Sequence, residues 1–589
     1  MNTTSQQIQQ LIRSNKKYYS AIAAKATEEN RLLCTGFRDQ ADWVSGWGHD
    51  FACPDCASQL IFDRTIDFGH SNQFTCPSCG KVVSGEKLDA AWIYFYRLSM
   101  AEQLESAAVC AVMGDQDAVD FLERYFDFYA DHYEGFELRG HESGRVMPQV
   151  LDEAVWGIFI LRALYPCRDL FSAEKKEKWY QQLFLPLATL VNAPQFRKNI
   201  HNHELWQRCA AASVALLFHN EELLKETLDG PLGIREMAER GFTADGFWLE
   251  GSPLYHYYAL EALTGFCQFL AHETPHDPLL SVLERAYTAP LALSCDGWTI
   301  PSINDGWFPL SMERFADQIH RAAAASRSPA LLRQVETLRQ RCPEKTAHPR
   351  ALLIDQADQG IEFWKGTNMA IVRQPVHAIL KSGAVARSHM HRDRLSVILQ
   401  PFSKDLGTPG YAHPLYKKWY QLAAAHSTIA VDLDQPYFLI PTHIEETDGG
   451  ARAVVDDQWE QIASASRTLI PDGAILHDRT EIVCVGEHTI DWIFHSEGDV
   501  AFSSEPGEEA VLGDRCGYEY FTQVRRLHGD QLCVSFTLEG STLTLKTDIS
   551  GMEAYTAKSP GNPANHLRTS LILRKHSDKA IFHVDFTLE

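Results

Sequence analysis

Long apolar runs are missing from this chain: none of its 589 residues lie in a stretch able to span a bilayer, which excludes a helical membrane span. The opening Met1 to Gln10 also lacks an apolar core of signal-peptide type, so a cytoplasmic protein is expected, or a periplasmic or secreted one had a leader been trimmed. Positive charge is scarce: 54 Lys and Arg stand against 77 Asp and Glu, a net charge of -23. Wholesale binding to nucleic acid or to an anionic membrane is thereby excluded, and a polyanionic ligand would need a local basic cleft. Fourteen cysteines are too few for a disulfide scaffold of this length. No short-period repeat is present, which excludes the named solenoids.

What is present fits a globular protein with an ample core: 45% of residues are hydrophobic and 22% charged. The length calls for two large domains. Residues 1–45 are polar and helix-prone. Cys53-Pro-Asp-Cys56 and Cys76-Pro-Ser-Cys79 follow, separated by 19 residues, a spacing in the range of structural zinc sites. Four thiolates fill a tetrahedral shell and leave no position for substrate, so a structural zinc ribbon is expected at about residues 48–85. Reduced thiolates agree with a cytosolic location.

Apolar residues recur at helical spacing in Ala90–Met113, Val150–Leu164, Leu205–Leu217 and Tyr257–Leu270. Many successive amphipathic helices predict an incomplete barrel of helical hairpins over residues 1–350, with the ribbon inserted. From 351 to 589 short β-prone runs alternate with turns, among them Met369–Val372, Leu395–Leu399, Thr489–Phe494 and Gln531–Leu538. These predict a C-terminal antiparallel β-sandwich, and the whole is an α+β multidomain protein.

The stretch Arg387-Ser-His389-Met-His391-Arg-Asp393-Arg-Leu-Ser-Val-Ile-Leu399 reads as a strand. Alternation on a strand would aim His389, His391 and Asp393 to one side, and imidazole with carboxylate suits a divalent ion such as zinc or manganese. Asp405 and His426 are further candidate ligands; the alternative is a polar sheet face without metal. Arg387, Arg392, Arg394, Lys417 and Lys418 offer a local basic lining. The helical half holds three polar, aromatic-flanked stretches: Arg145 to Trp156 with Gln149 and Glu153, Asn199 to Trp206 with Asn202 and His203, and Asp245 to Tyr258 with Trp248, Glu250 and Tyr255. Each could be a loop with a helix cap. Together they suit a sugar chain, whose ring faces stack on aromatics and whose hydroxyls bond to planar polar groups.

The order of these motifs resembles the heparinase II/III-like polysaccharide lyases. The matching pieces are Arg145 to Trp156, Asn202-His203, Asp245-Gly…Glu250-Gly-Ser-Pro-Leu-Tyr255-His256, His389-x-His391-x-Asp393, Asp405 to Tyr411 and His426-Ser-Thr-x-x-Val-Asp432. One departure is Ser427, where the family more usually carries Asn after the histidine. The resemblance implies an α/α toroid followed by a β-sandwich, and β-elimination on a uronic-acid polymer such as heparan sulfate, hyaluronan, chondroitin or alginate. The uronate carboxylate must be neutralised before its C5 proton can leave. Asn202, His203 and Arg145 suit that task, with roughly 3–4 kcal/mol per donor. The resemblance makes Tyr255 the acid and, were its pKa lowered by His389 or Arg145, also the base; His203 or His389 is the other candidate base. It assigns His391, Asp405 and His426 to a divalent ion that organises the loop of His389, and places Arg145, Gln149, Glu153, Trp206, Trp248, Glu250 and Arg387 at the substrate. An anionic polysaccharide or oligosaccharide is the expected partner. Two rivals are a toroidal glycoside hydrolase using Asp245 and Glu250, and a non-catalytic carbohydrate-binding protein.

Overall fold

The computed structural model describes residues 27–28, 31, 34–69, 72–139, 142–196, 198–341, 360–383, 385, 388–435, 439–456, 459–503 and 505–589. Most of the polar N-terminal stretch, and Arg387, lie outside the described residues. Two compact units emerge. The first comprises Met1–Gly241, Tyr258–Tyr287 and Phe315–Leu352; the second comprises Phe242–Tyr257, Thr288–Arg314 and Leu353–Glu589.

The first unit is helical. Helix Val150–Cys167 is buried on every side, from Val150 to Leu164, as expected of a helix with no polar face. Helix Glu86–Val112 packs against it, and Gln116–His132 follows with Asp115 as N-cap, its carboxylate accepting from the amides of Asp117 and Ala118. Ahead of them sits the cysteine module. Its strands Phe74–Thr75 and Val82–Val83 pair antiparallel, and Phe51 packs edge-on against Phe74. Sulfur–sulfur distances are 3.7 Å for Cys53–Cys79 and 3.5 Å for Cys56–Cys76, so all four thiols converge and none is bonded to another. No helix among the described residues is long and apolar enough to cross a membrane.

The second unit is a sandwich. One layer is the antiparallel meander Ile361–Trp364, Met369–Val372, Ala378–Lys381 and Ser396–Leu399. The other is an 11-stranded sheet centred on two 22-residue strands, Ile475–Ser496 and Leu567–Leu588, which pair antiparallel with a bulge between Val483 and His488. Alternate residues of the meander, including Ala370, Val372, Leu380 and Val397, join Ile490, Trp492 and Phe582 in the sandwich core. The intervening residues Met369, Ile371, Ile379 and Ile398 face a second core completed by Phe247, Leu293 and Ile303. This is why Phe242–Tyr257 and Thr288–Arg314 segregate with the sandwich: they cover the outer face of the meander. It also explains the unbroken apolar run Met369-Ala-Ile-Val372, since a strand buried on both faces has no polar register.

The strand expected over Arg387–Leu399 is shorter than the sequence reading. It begins at Ser396, and Leu395 and His389 take left-handed backbone at φ 59° and 60°. The histidines therefore sit on a loop.

Candidate active site

Tyr255 lies in the first turn of helix Pro253–Glu273, where Pro253 supplies a φ preset for helix and needs no amide partner. Its ring stacks on His389 with centroids 3.4 Å apart, and its hydroxyl makes a short hydrogen bond with that of Tyr411. The neighbouring tyrosine is unsuited to chemistry: Tyr257 is fully buried, its hydroxyl on Met312 Sδ. His256 is structural too, stacked on Phe247 and accepting from Trp248 N at 2.9 Å.

Asp305 organises the cluster, and the sequence reading passed over it. One carboxylate oxygen meets His389 Nδ1 at 3.0 Å and accepts from Tyr416 at 2.9 Å; the other meets His391 Nε2 at 3.1 Å. Burial alone would raise this carboxyl, but the hydrogen bonds from His389 and His391 hold it down at about 2. Its loop is positioned by a backbone contact in which Thr408 N donates to Gly306 O at 2.7 Å. Gly407, at φ 59°, must be glycine there, because a Cβ would fall 1.9 Å from that carbonyl. A signal existed in the sequence, a turn of the form Ile-Asn-Asp-Gly, but such turns are common.

Glu250 is 1% exposed; it accepts from Trp248 Nε1 at 2.8 Å and meets His389 Nε2 at 3.3 Å. It orients His389 and has no open face toward a sugar. Asp245 accepts from Thr243 Oγ1 at 3.3 Å and Thr367 Oγ1 at 3.5 Å, which braces its loop. The Asp245–Glu250 pair is thus engaged structurally, contrary to what the hydrolase alternative requires. Tyr255 is corrected in one respect. Burial, reinforced by Asp305 and Glu250, drives its phenol well above the ordinary value, against the opposing hydrogen bond from Tyr411. The phenol is raised, where the sequence reading looked for a lowering by His389 or Arg145. It is therefore kept protonated.

Behind this cluster lie His391, Asp405 and His426, all buried, with one donor atom from each within 4.8 Å of the others. His391 uses Nε2 on Asp305, and its Nδ1 is buried without a hydrogen-bond partner among the described residues. His426 uses Nε2 on Tyr420 O at 3.0 Å, which leaves Nδ1 3.7 Å from Asp405 Oδ1. Burial keeps His426 below its ordinary pKa and favours the neutral imidazole. Two oriented imidazoles and a carboxylate with free electron pairs fit a divalent ion. Asp393 Oδ2 also lies 3.9 Å from His426 Nδ1, but it is bonded to the Lys381 ammonium. Ser427, the departure from the family pattern, bonds Ser403 at 2.8 Å and accepts from His495 N at 3.0 Å, pinning the loop to the sandwich.

In the first unit Asn202 opens helix Asn202–Leu217, buried, with His201 as N-cap accepting from His203 N at 3.3 Å. His203 shares a polar cavity with Gln149, Glu142, Lys198 and Gln207. Other residues expected at substrate are turned inward. Trp206 and Trp248 are fully buried and present no ring face to a sugar. Glu153, also fully buried, accepts from Met147 N at 2.8 Å, and Arg145 Nη1 donates to the carbonyls of Glu134 and Phe136 at 2.9 Å each. Both fold the loop before helix Val150–Cys167. The basic lining also contracts: Arg392 pairs with Asp434 at 2.7 Å, and Arg394, 3% exposed, lies over Trp459.

Residues 358–577 match the family model "Heparinase II/III-like, C-terminal", and residues 166–286 match "Alginate lyase". An exo-oligoalginate lyase of Saccharophagus degradans is 29% identical over 209 residues, which is 33% of this chain and 28% of that protein. An alginate lyase of Stenotrophomonas maltophilia is 29% identical over 216 residues, 34% of this chain and 29% of that one. The chain therefore matches under a third of the length of these curated relatives. Among solved structures, heparinase III superposes with a TM-score of 0.59 at 12% identity, covering 84% of this chain and 76% of that one. A heparan sulfate lyase of Pedobacter heparinus gives 0.56 at 12% identity, covering 97% and 88%. These overlays establish the fold, an α/α toroid followed by an antiparallel sandwich. Residues 358–577 are thus similar to the heparinase II/III-like C-terminal domain and residues 166–286 to alginate lyases, in the order that the sequence motifs imply.

Proposed function

We propose that this protein is a carbon–oxygen lyase that cleaves uronate-containing glycans by β-elimination. The observation that carries it is Tyr255: a phenol kept protonated by burial and by Asp305 and Glu250, stacked on His389 and joined to Tyr411. In the elimination a base takes the C5 proton, the C4–O4 bond breaks as the C4–C5 alkene forms, and Tyr255 gives its proton to O4. Tyr411, bonded to Tyr255 and 3.5 Å from Asp305, is placed to return a proton to the phenolate. The family resemblance offers Asn202, His203 and Arg145 for carboxylate neutralisation and Tyr255, His203 or His389 as the base. Of these we favour Asn202 for neutralisation and His203 as base, with His389, flanked by Asp305 and Glu250, orienting Tyr255. Alginate and glycosaminoglycans both present the required uronate, and the names of the relatives support that class.

The same reading includes a divalent ion, zinc or manganese, held by His391, Asp405 and His426. When bound it would rigidify the loop that carries His389. Zinc on Cys53, Cys56, Cys76 and Cys79 would close the ribbon, and its thiolates favour a reducing compartment. The test is ultraviolet absorbance on a panel of uronate polymers and oligomers. The alkene signal should rise with the parent and fall about 10³-fold in Tyr255→Phe, within the range for a general acid. New reducing ends without absorbance would overturn the lyase reading.

A further inference from the structure

Two buried carboxylates stand beside the same imidazole. Asp405 Oδ1 is 3.7 Å from His426 Nδ1, and Asp393 Oδ2 is 3.9 Å from it. Distance does not distinguish them, but their partners do. Asp405 Oδ1 accepts from a neutral donor, the amide of Gly407 at 3.0 Å. Asp393 Oδ2 receives the ammonium of Lys381 at 2.5 Å, while its Oδ1 is buried without a hydrogen bond among the described residues.

Lys381 is an unusual lysine, 3% exposed, at the end of strand Ala378–Lys381 and paired in register with Ser396. It cannot swing away. Its Nζ also donates to Asn304 Oδ1 at 2.5 Å, and Asn304 Nδ2 is itself committed to Gly251 O at 3.0 Å. A buried ammonium needs a counter-ion, and Asp393 is the carboxylate it touches.

We propose that Lys381 is a positioning residue that sets the composition of the sandwich metal centre by holding Asp393 out of its ligand set. With Lys381 in place, ligation by Asp393 would strip the ammonium of its counter-ion inside the fold. The centre is then two imidazoles and one carboxylate, which leaves a divalent ion with net positive charge. Without Lys381, Asp393 is free to enter as a second carboxylate and cancel that charge. The inference rests on the proposed metal reading and goes beyond it, because it concerns which carboxylates the ion receives.

The experiment is a Mn(II) titration of the full chain, followed by the electron paramagnetic resonance of the free ion. Manganese is the probe because it prefers nitrogen and oxygen donors to the ribbon's thiolates. Lys381→Met, which keeps the apolar stem, should bind Mn(II) at least about 10-fold more tightly than the parent; Lys381→Met with Asp393→Asn should lose that gain. Asp393→Asn alone should stay within about threefold of the parent, since there Asp393 is not a ligand; this arm decides the matter even if Lys381→Met fails to fold. A 10-fold or greater loss in Asp393→Asn would overturn the proposal, as would unchanged affinity in folded Lys381→Met. A parent that binds no Mn(II) or Zn(II) beyond the ribbon would sink the metal reading itself, a distinct outcome.

Discussion

The helical unit and the sandwich unit each carry polar, aromatic-rich motifs, yet they use them differently. In the helical unit most of these side chains turn inward: Trp206, Glu153 and Asp152 are buried, and Arg145 spends its guanidinium on backbone carbonyls. In the sandwich unit they converge on one another, as Asp305 gathers His389, His391, Tyr411 and Tyr416 from two separate loops. Similar residue types are therefore buried singly in one place and gathered into a polar cluster in the other, the place where the proposed chemistry resides. Whether a carboxylate or an indole serves the fold is decided by what surrounds it.

That contrast can be broken by substitution. The largest expected effect is Trp206→Ala, which removes a fully buried indole and should cost about 3–5 kcal/mol of stability, read as a drop in chemical-denaturation midpoint. If stability held and only turnover fell, the indole would belong to the substrate site. Next is Asp152, whose carboxyl burial raises from 3.8 to about 7, assisted by Glu153 and opposed by hydrogen bonds from Gln149 and Tyr94. Its folded state prefers the proton. The stability it contributes is therefore full below about pH 4 and is lost as pH rises toward 7, by up to about 4 kcal/mol. Asp152→Asn should match the parent's melting temperature at pH 5 more closely than at pH 8, where the variant should be the more stable. An identical pH profile would refute this assignment.

In the sandwich, Asp305→Asn should lower kcat of the folded fraction about 100-fold, because it loosens both histidines at once, together with some loss of melting temperature from the hydrogen bonds removed. A purely structural Asp305 would lower the melting temperature but spare kcat in the folded fraction. The smallest effect on activity belongs to the ribbon. Cys56→Ser should destabilise the local strands, visible as faster amide exchange at Phe74 and Val83, while changing kcat less than about threefold.

Elements with a strong local period were readable in advance. Helix Val150–Cys167, expected over Val150–Leu164, and strand Gln531–Leu538 follow from apolar spacing alone. The strand over Arg387–Leu399 was misread because alternation in His389-x-His391-x-Asp393 mimics a β pattern. The actual cause of the shared orientation is that His389 and His391 both bond Asp305, 84 and 86 residues away. Asp305 itself gave only the weak local signal of a turn. An Asn-Asp-Gly turn is indistinguishable from an ordinary one until a distant loop is folded against it.

By itself, the sequence determined what depends on neighbours along the chain: the helical and β-rich halves, the two cysteine knuckles, and an order of motifs that resembles the heparinase II/III-like lyases. Tertiary structure decided which of those motif residues face one another. It buried Trp206, Trp248 and Glu153, brought Asp305 between two histidines, and gave Lys381 to Asp393 rather than to solvent. The physical reason is that burial and charge pairing are properties of an environment. That environment is assembled from segments far apart in the chain, so no local pattern encodes it.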